Sequence, residues 1–342
     1  MTKMLLALYD DPKVFKLEEK FLVNSIDSNT FVGKYPLESF FPGARGVYGG
    51  ELVSQGIIAA WETIDDTDFS PHSFHAYFIR AGMPDVPVRW EVDFNNDGRN
   101  YKNRLVRGFQ DSVLKFELSI SFTRDNSIQL RKLDYSDKLV EYANDSKKMK
   151  KLAVPFEFQL EAYPLFKKYR EKVHDMDYFE HANGNLQHIV LPEYFEAGVL
   201  DATKQKHKAP GDREFGVFVR INDDLNLALD KHRARIIGLA FLLDSFYLRS
   251  LAMAVGYHME PEYLDYFKVS LDHAVWIHDS DFDPTEWMFM DFKFPRLLNN
   301  RVLCQCRLFT LNGNMVASIV QEGLVFMPKR LADGSIGGTY KL

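Results

Sequence analysis

His75-Ala76-Tyr77-Phe78-Ile79-Arg80 returns late in the chain as His273-Ala274-Val275-Trp276-Ile277-His278, 198 residues on (273 − 75). The surroundings of the two copies match as well. An apolar segment of helical length precedes each, Glu51 to Ile64 in the first case and Ile236 to Val255 in the second. Strand-like runs broken by a polar turn follow, Asp111-Ser112 leading to Phe122 and Asn312-Gly313 leading to Phe326. A six-residue echo alone is weak, but the shared order of its neighbours makes internal duplication the better reading. In the second copy Val269, Leu271, His273, Val275 and Ile277 alternate with Ser270, Asp272, Ala274 and Trp276. That period of two is the mark of a strand. Met315, Ala317, Ile319 and Gln321 share one face of the last strand in the same way. Asn96-Asp97-Gly98 and Asn312-Gly313 are hairpin signals, because glycine tolerates the positive φ of such turns. Strands joined by short turns pair antiparallel, and each long apolar helix must cover a sheet face. The expected fold class is α+β, built twice.

The chain has 342 residues, enough for two cores. With 46% apolar and 26% charged residues it has the balance of a folded protein. Its net charge of −6 argues against a nucleic-acid binder, which needs a broad basic surface. Cys304 and Cys306, the only cysteines, cannot form a disulfide framework, and their C-x-C spacing with no second cysteine pair argues against a structural zinc site, so a reducing compartment is expected and no metal or cofactor. The apolar run Ile236 to Leu243 ends at Asp244, short of the roughly 18 residues of a membrane span. No stable membrane insertion is therefore expected. Residues 1–20 read as an ordinary leading helix. Tyr340-Lys341-Leu342 shares only its last two positions with the peroxisomal Ser-Lys-Leu address. The expected division is 1–124, a linker over 125–213, a second domain over 214–330, and a tail over 331–342. Within the linker, Lys147-Lys148-Met149-Lys150-Lys151 reads as a solvated helix end, whereas Phe156, Phe158, Tyr163, Phe166 and Tyr169 suggest packing back on the body.

Asp244 interrupts a helix that is apolar almost all round. Its helical neighbours, Ala240, Phe241, Tyr247 and Leu248, include no cation. A buried carboxylate must find tertiary donors or bind a proton. On burial alone it reads equally as a structural aspartate and as a general base. Ser270 and Gln321, polar residues on apolar strands, each read as structural when taken singly. Ser270 lacks a Gly-x-Ser-x-Gly elbow, and an amide like that of Gln321 donates and accepts at once, which suits holding a water. His75 and His273 occupy matching places, which favours packing over catalysis. Tyr48-Gly49-Gly50-Glu51 opens the first long helix, where exposed N–H groups favour negative charge on a ligand oxygen; a plain helix start is the competing reading.

Taken together, six stretches resemble the type II acyl-CoA thioesterase family. They are 46–55 (GVYGGELVSQ), 72–80 (HSFHAYFIR), 97–101 (DGRNY), 243–245 (LDS), 270–278 (SLDHAVWIH) and 316–323 (VASIVQEG). The likeness covers most of 30–124 and 214–327. It implies two fused hot-dog domains, each a long helix wrapped by an antiparallel sheet, and hydrolysis of fatty acyl-CoA. It also implies a catalytic set of Asp244, Ser270 and Gln321, with Gly49, Gly50 and His75 as candidate substrate-binding residues. Serine at 270 is similar to the eukaryotic, often peroxisomal, branch, with the cytoplasm as the other location. Aligning the repeats sets Ile120 opposite Gln321, and Gln55 stands where the first helix lacks a carboxylate, so one active site per chain is expected. The implied partner is a fatty acyl-CoA, and assembly into a homo-oligomer is left open. Two other readings remain at this stage. One is a hot-dog enoyl-CoA hydratase, although Asp272 and His273 point to opposite strand faces. The other is a non-catalytic acyl-CoA carrier, which has no need of a buried carboxylate.

Overall fold

The computed structural model describes residues 17–40, 44–124, 127–181, 184–329 and 331. The expected Tyr-Lys-Leu address and most of the leading segment lie outside them. A short helix α1 (Leu17–Lys20) and strands β1 (Val23–Ser25) and β2 (Thr30–Gly33) precede the long helix α2 (Gly49–Trp61). Four strands then follow, β3 (Phe69–Phe78), β4 (Arg89–Asp97), β5 (Tyr101–Gln110) and β6 (Val113–Arg124); the last three form a meander and β3 pairs with β6. The middle of the chain holds α3 (Ile128–Glu141), α4 (Ser146–Met149), α5 (Pro164–Tyr169), β7 (Phe179–Glu180), β8 (Leu186–Ile189) and α6 (Val199–Ala202). The second half repeats the plan with β9 (Phe215–Ile221), α7 (Lys231–Leu242), α8 (Tyr247–Ala254) and α9 (Pro261–Leu264). It closes with β10 (Phe267–Ser270), β11 (Asp272–Ile277), β12 (Met288–Leu298), β13 (Arg301–Thr310) and β14 (Met315–Phe326).

The strands form one sheet in the order β1-β2-β4-β5-β6-β3-β11-β14-β13-β12-β9-β8-β7, with β10 beside β14. The halves join where β3 pairs antiparallel with β11, setting Ala76 opposite His273 and Phe74 opposite Val275. Inside the sheet, α2 and α7 lie side by side and antiparallel. Tyr48 Oη donates to the Phe241 carbonyl at 2.8 Å, Ser54 Oγ to the Ile237 carbonyl at 3.4 Å, and Arg233 pairs with Glu62 at 2.5 Å. Every residue of α2 from Gly50 to Ala60 is buried. Ile57 and Ile58 alone contribute about 2 kcal/mol each in transfer free energy. The start of α2 is thereby held against the end of α7, and this contact places the site. The long helix wrapped by an antiparallel sheet, expected twice, is present in both halves.

Four details differ from the sequence reading. The helix expected to run through Asp244 breaks there into α7 and α8. The segment Lys231–Ala254 is long and apolar enough to cross a membrane by length and composition, but 78% of that apolar stretch is buried inside the protein. Second, the six-residue echo is out of phase with the fold. Phe74 and Ala76 face the core in β3, whereas His273, Val275 and Ile277 face it in β11, so an even offset of 198 sets inward residues on outward ones. His75 is exposed and His273 buried, so the two histidines do not match. Third, the middle of the chain is more than a connection: β8 pairs with β9 in the main sheet. Fourth, Phe166 packs among Phe218, Phe289 and Phe309, but Phe156 and Phe158 are 82% and 89% exposed, on a stretch that joins no strand.

Candidate active site

The break in the second helix is built from hydroxyl groups. The last carbonyls of a helix have no intrahelical partner. Here Tyr48 Oη donates to that of Phe241, Ser245 Oγ to that of Leu242 at 2.7 Å, and Tyr247 Oη to that of Leu243. Phe246 then takes φ 76°, a conformation costly for a bulky side chain, and its ring stacks on His188 at 5.3 Å. With the Ser245 proton on Leu242, His188 donates from Nε2 to Ser245 Oγ at 3.0 Å and accepts at Nδ1 from His181 Nε2 at 2.8 Å. Burial holds both rings neutral, pushing His188 down to about 3 and His181 well below its usual range. This chain of side chains fixes the turn that carries Asp244. Its histidines come from β8 and the residue after β7, within the stretch expected from sequence to be a linker, and nothing in the local pattern marks them.

Three elements converge on the Asp244 carboxylate. Gln321 Nε2, from β14, donates to Oδ1 at 2.7 Å and to Ser270 Oγ at 2.5 Å. Ser270 Oγ, from the end of β10, donates to the same Oδ1 at 3.2 Å. Strict alternation puts Ser270 on the outward face with Trp276. A one-residue slip in register prevents this: Ser270 pairs with Gly323, but Ala274 pairs with Val320. Such a bulge re-aims a side chain, here into the site. Asp244 and Ser270 retain partial exposure, whereas Gln321 has none. Burial lifts the Asp244 carboxyl to about 7, against the opposing pull of Gln321, Ser270 and the Gly50 N–H. A carboxylate so placed is a base matched to neutral pH. Gln321 Oε1, fully buried, makes no hydrogen bond among the described residues. The His273 ring lies beside this amide, with its pKa lowered to about 3 by burial.

The first half supplies the opposite wall. The Gly50 N–H faces the Asp244 carboxylate and pulls its pKa down, and the positive end of α2 faces its charge. A Cβ on Gly49 would stand 2.2 Å from Asp244 Oδ2, and one on Gly50 would stand 2.4 Å from the Phe241 carbonyl. Both positions need glycine for close approach. Gly50 was expected to serve a ligand oxygen; its N–H instead serves the aspartate. Next to it, fully buried Glu51 accepts from Lys20 and from the Glu38 N–H, and burial raises its carboxyl to about 7 despite Lys20. That group ties the loop at Glu38 to α2.

The remaining candidates are not brought here. His75 lies exposed on the outer face, its ring edge-on to Trp276 at 5.3 Å. Asp272 accepts from the Glu322 N–H at 2.8 Å and does not pair with His273. In the first half, Gln55 Oε1 accepts from Trp90 Nε1 at 3.0 Å and Ile120 packs in the core.

Comparison with known proteins identifies the family. The family model for the acyl-CoA thioesterase N-terminal domain matches residues 37–123, and that for the C-terminal domain matches 171–325. The chain belongs to the type II acyl-CoA thioesterase family. A relative of this thioesterase is the peroxisomal acyl-coenzyme A thioester hydrolase 1 of Saccharomyces cerevisiae, 27% identical over 88% of this chain and 91% of the yeast protein. Among solved structures it is similar to an acyl-CoA thioesterase II from Mycobacterium marinum, with TM-score 0.64, 21% identity, and coverage of 92% of this chain and 98% of that one. A conserved protein of unknown function with a hot-dog fold from Alicyclobacillus acidocaldarius gives TM-score 0.59 at 12% identity, covering 92% and 100%. These likenesses establish the thioesterase's double hot-dog fold.

Proposed function

We propose that this thioesterase hydrolyses fatty acyl-CoA to a free fatty acid and CoA by direct attack of a water activated at Asp244. The observation that carries the mechanism is the convergence of Gln321 Nε2 and Ser270 Oγ on one oxygen of a carboxylate lifted to about 7. Asp244 takes a proton from the water, whose oxygen adds to the thioester carbonyl carbon. The tetrahedral oxyanion collapses, the C–S bond breaks, and the proton on Asp244 passes to the departing thiolate. Ser270 Oγ, partly exposed and held by the Gln321 amide, is the acceptor for the second water hydrogen. The Gly49 N–H, among the first of α2 and so outside its internal ladder, is the donor offered to the developing oxyanion.

The base must be ionised, so kcat/KM is expected to rise tenfold per pH unit at low pH and to level off above about 7. Thiol release from a chain-length series of acyl-CoA substrates, measured across pH, checks this. Hydroxylamine distinguishes the route: a direct-water mechanism gives no acyl hydroxamate beyond the uncatalysed background. An acyl group trapped on Ser270 would overturn it.

The division at residues 124 and 213 belongs to this proposal, with the chemistry in the second unit and the α2 wall in the first. A peroxisomal location is supported by the yeast relative. A fluorescent fusion is expected to reach peroxisomes only while Tyr340-Lys341-Leu342 is intact; unchanged targeting after its removal would count against that signal.

A further inference from the structure

Most buried or half-buried arginines here face a carboxylate. Arg307 meets Asp291, Arg104 meets Asp97, and Arg233 meets Glu62. Arg249 differs. It is half-buried on α8, five residues beyond Asp244 (249 − 244), and among the described residues no carboxylate contacts it. The groups within its electrostatic reach are the neutral His181 and His188, the Tyr266 phenol and the Lys268 ammonium. Lys268 is half-buried on β10, and among the described residues its Nζ donates only to the carbonyls of Leu264 at 2.7 Å and Tyr266 at 3.2 Å. Exposed Asp265 acts on Lys268 as the lesser influence, after burial and Arg249, which together lower its pKa to about 8. Tyr266 links the pair: its hydroxyl donates to the Leu248 and Arg249 carbonyls, and its ring lies 4.2 Å from Lys268 Nζ. Two like charges sharing a partly desolvated place raise the energy of the free protein, and an anion bound between them relieves it.

Position says which anion. Lys268 and Ser270 are two residues apart on one strand, hence on the same face and about 7 Å apart along it. Arg249 lies on α8, which packs on β10, near enough to Lys268 to lower its pKa. We propose that Arg249 and Lys268 bind the phosphate groups of the coenzyme A portion of the substrate, orienting the thioester toward Asp244. This assignment rests on the thioesterase reading above and adds the residues that recognise the leaving group. A bidentate guanidinium with a flexible ammonium beside it suits phosphate oxygens.

The test compares a fatty acyl-CoA with the N-acetylcysteamine thioester of the same acid, which keeps the reacting atoms and lacks phosphates. Arg249→Gln and Lys268→Gln are each expected to raise KM for the acyl-CoA about tenfold with kcat little changed. Kinetics on the phosphate-free thioester should stay within about twofold of wild type, which also reports an intact fold. Arg249→Lys should recover part of the loss, and the rise of KM with salt should flatten in the double variant. Equal losses on both substrates would show a structural role and overturn the assignment, as would unchanged KM for the acyl-CoA. Wild-type protein that cleaves neither thioester would overturn the functional reading itself, a result distinct from either of these.

Discussion

Asp244→Asn is expected to lower kcat on acyl-CoA by about 10²- to 10⁴-fold, the usual contribution of a general base. The same variant is expected to be more stable than wild type at pH 8. Burial raises the carboxyl from 3.8 to about 7. Between those values the native state holds a proton that the unfolded chain has released, so wild-type stability falls as pH rises through this window. Above it the whole penalty is present, with a ceiling of about 4 kcal/mol at about 1.4 kcal/mol per pH unit. Asparagine escapes the penalty and still offers an acceptor to Gln321 and Ser270. Its amide group turned toward the Gly50 N–H offsets part of the gain. Thermal unfolding at pH 8 should show a Tm several degrees higher than wild type, and the difference should shrink toward pH 5. A variant that is inactive and less stable at both values would mark Asp244 as a structural group.

Gly49→Ala should be nearly as damaging, although the position belongs to the other half of the chain. The added methyl would meet Asp244 Oδ2 at 2.2 Å and the Phe78 ring at 2.8 Å. Helix α2 cannot retreat, because the Tyr48 hydroxyl holds it to the Phe241 carbonyl and Arg233 pairs with Glu62 at its far end. The carboxylate is the part free to move, and moving takes it off Ser270 and Gln321. Misplacement on that scale costs about 10²-fold in rate, with a stability loss of about 1–3 kcal/mol from overpacking. Gly198→Ala is the control: its Cβ would find nothing nearer than 3.9 Å, and activity should be unchanged. Near-wild-type turnover by Gly49→Ala would show that the close contact is unimportant to the chemistry.

Sequence alone reveals part of this site. Asp244 is conspicuous because a charge inside an apolar run has few places to go, and Gln321 keeps its inward face because β14 is regular through that position. The face of Ser270 is not legible, since alternation counts residues and the slip between Ser270 and Ala274 shows only in the pairing with β14. Nor is the helix break. Helical periodicity carries through 244–246, and the groups that end α7 and hold the turn include Tyr48 and His188, distant in sequence and supplied by packing. The six-residue echo points to two similar halves and is still misaligned by one position, because similar side chains recur on opposite faces. The mid-chain strands β7 and β8 escape notice because two and four residues are too few for a period to register.

The close approach of α2, from the first half, to the Asp244 carboxylate means that the two repeats are no longer interchangeable. A fragment holding only the second would retain the three side chains proposed to react and lose the surface against which the acid is set. Selection would then see a substitution at Gly49 and one at Asp244 as the same lesion, 195 positions apart (244 − 49).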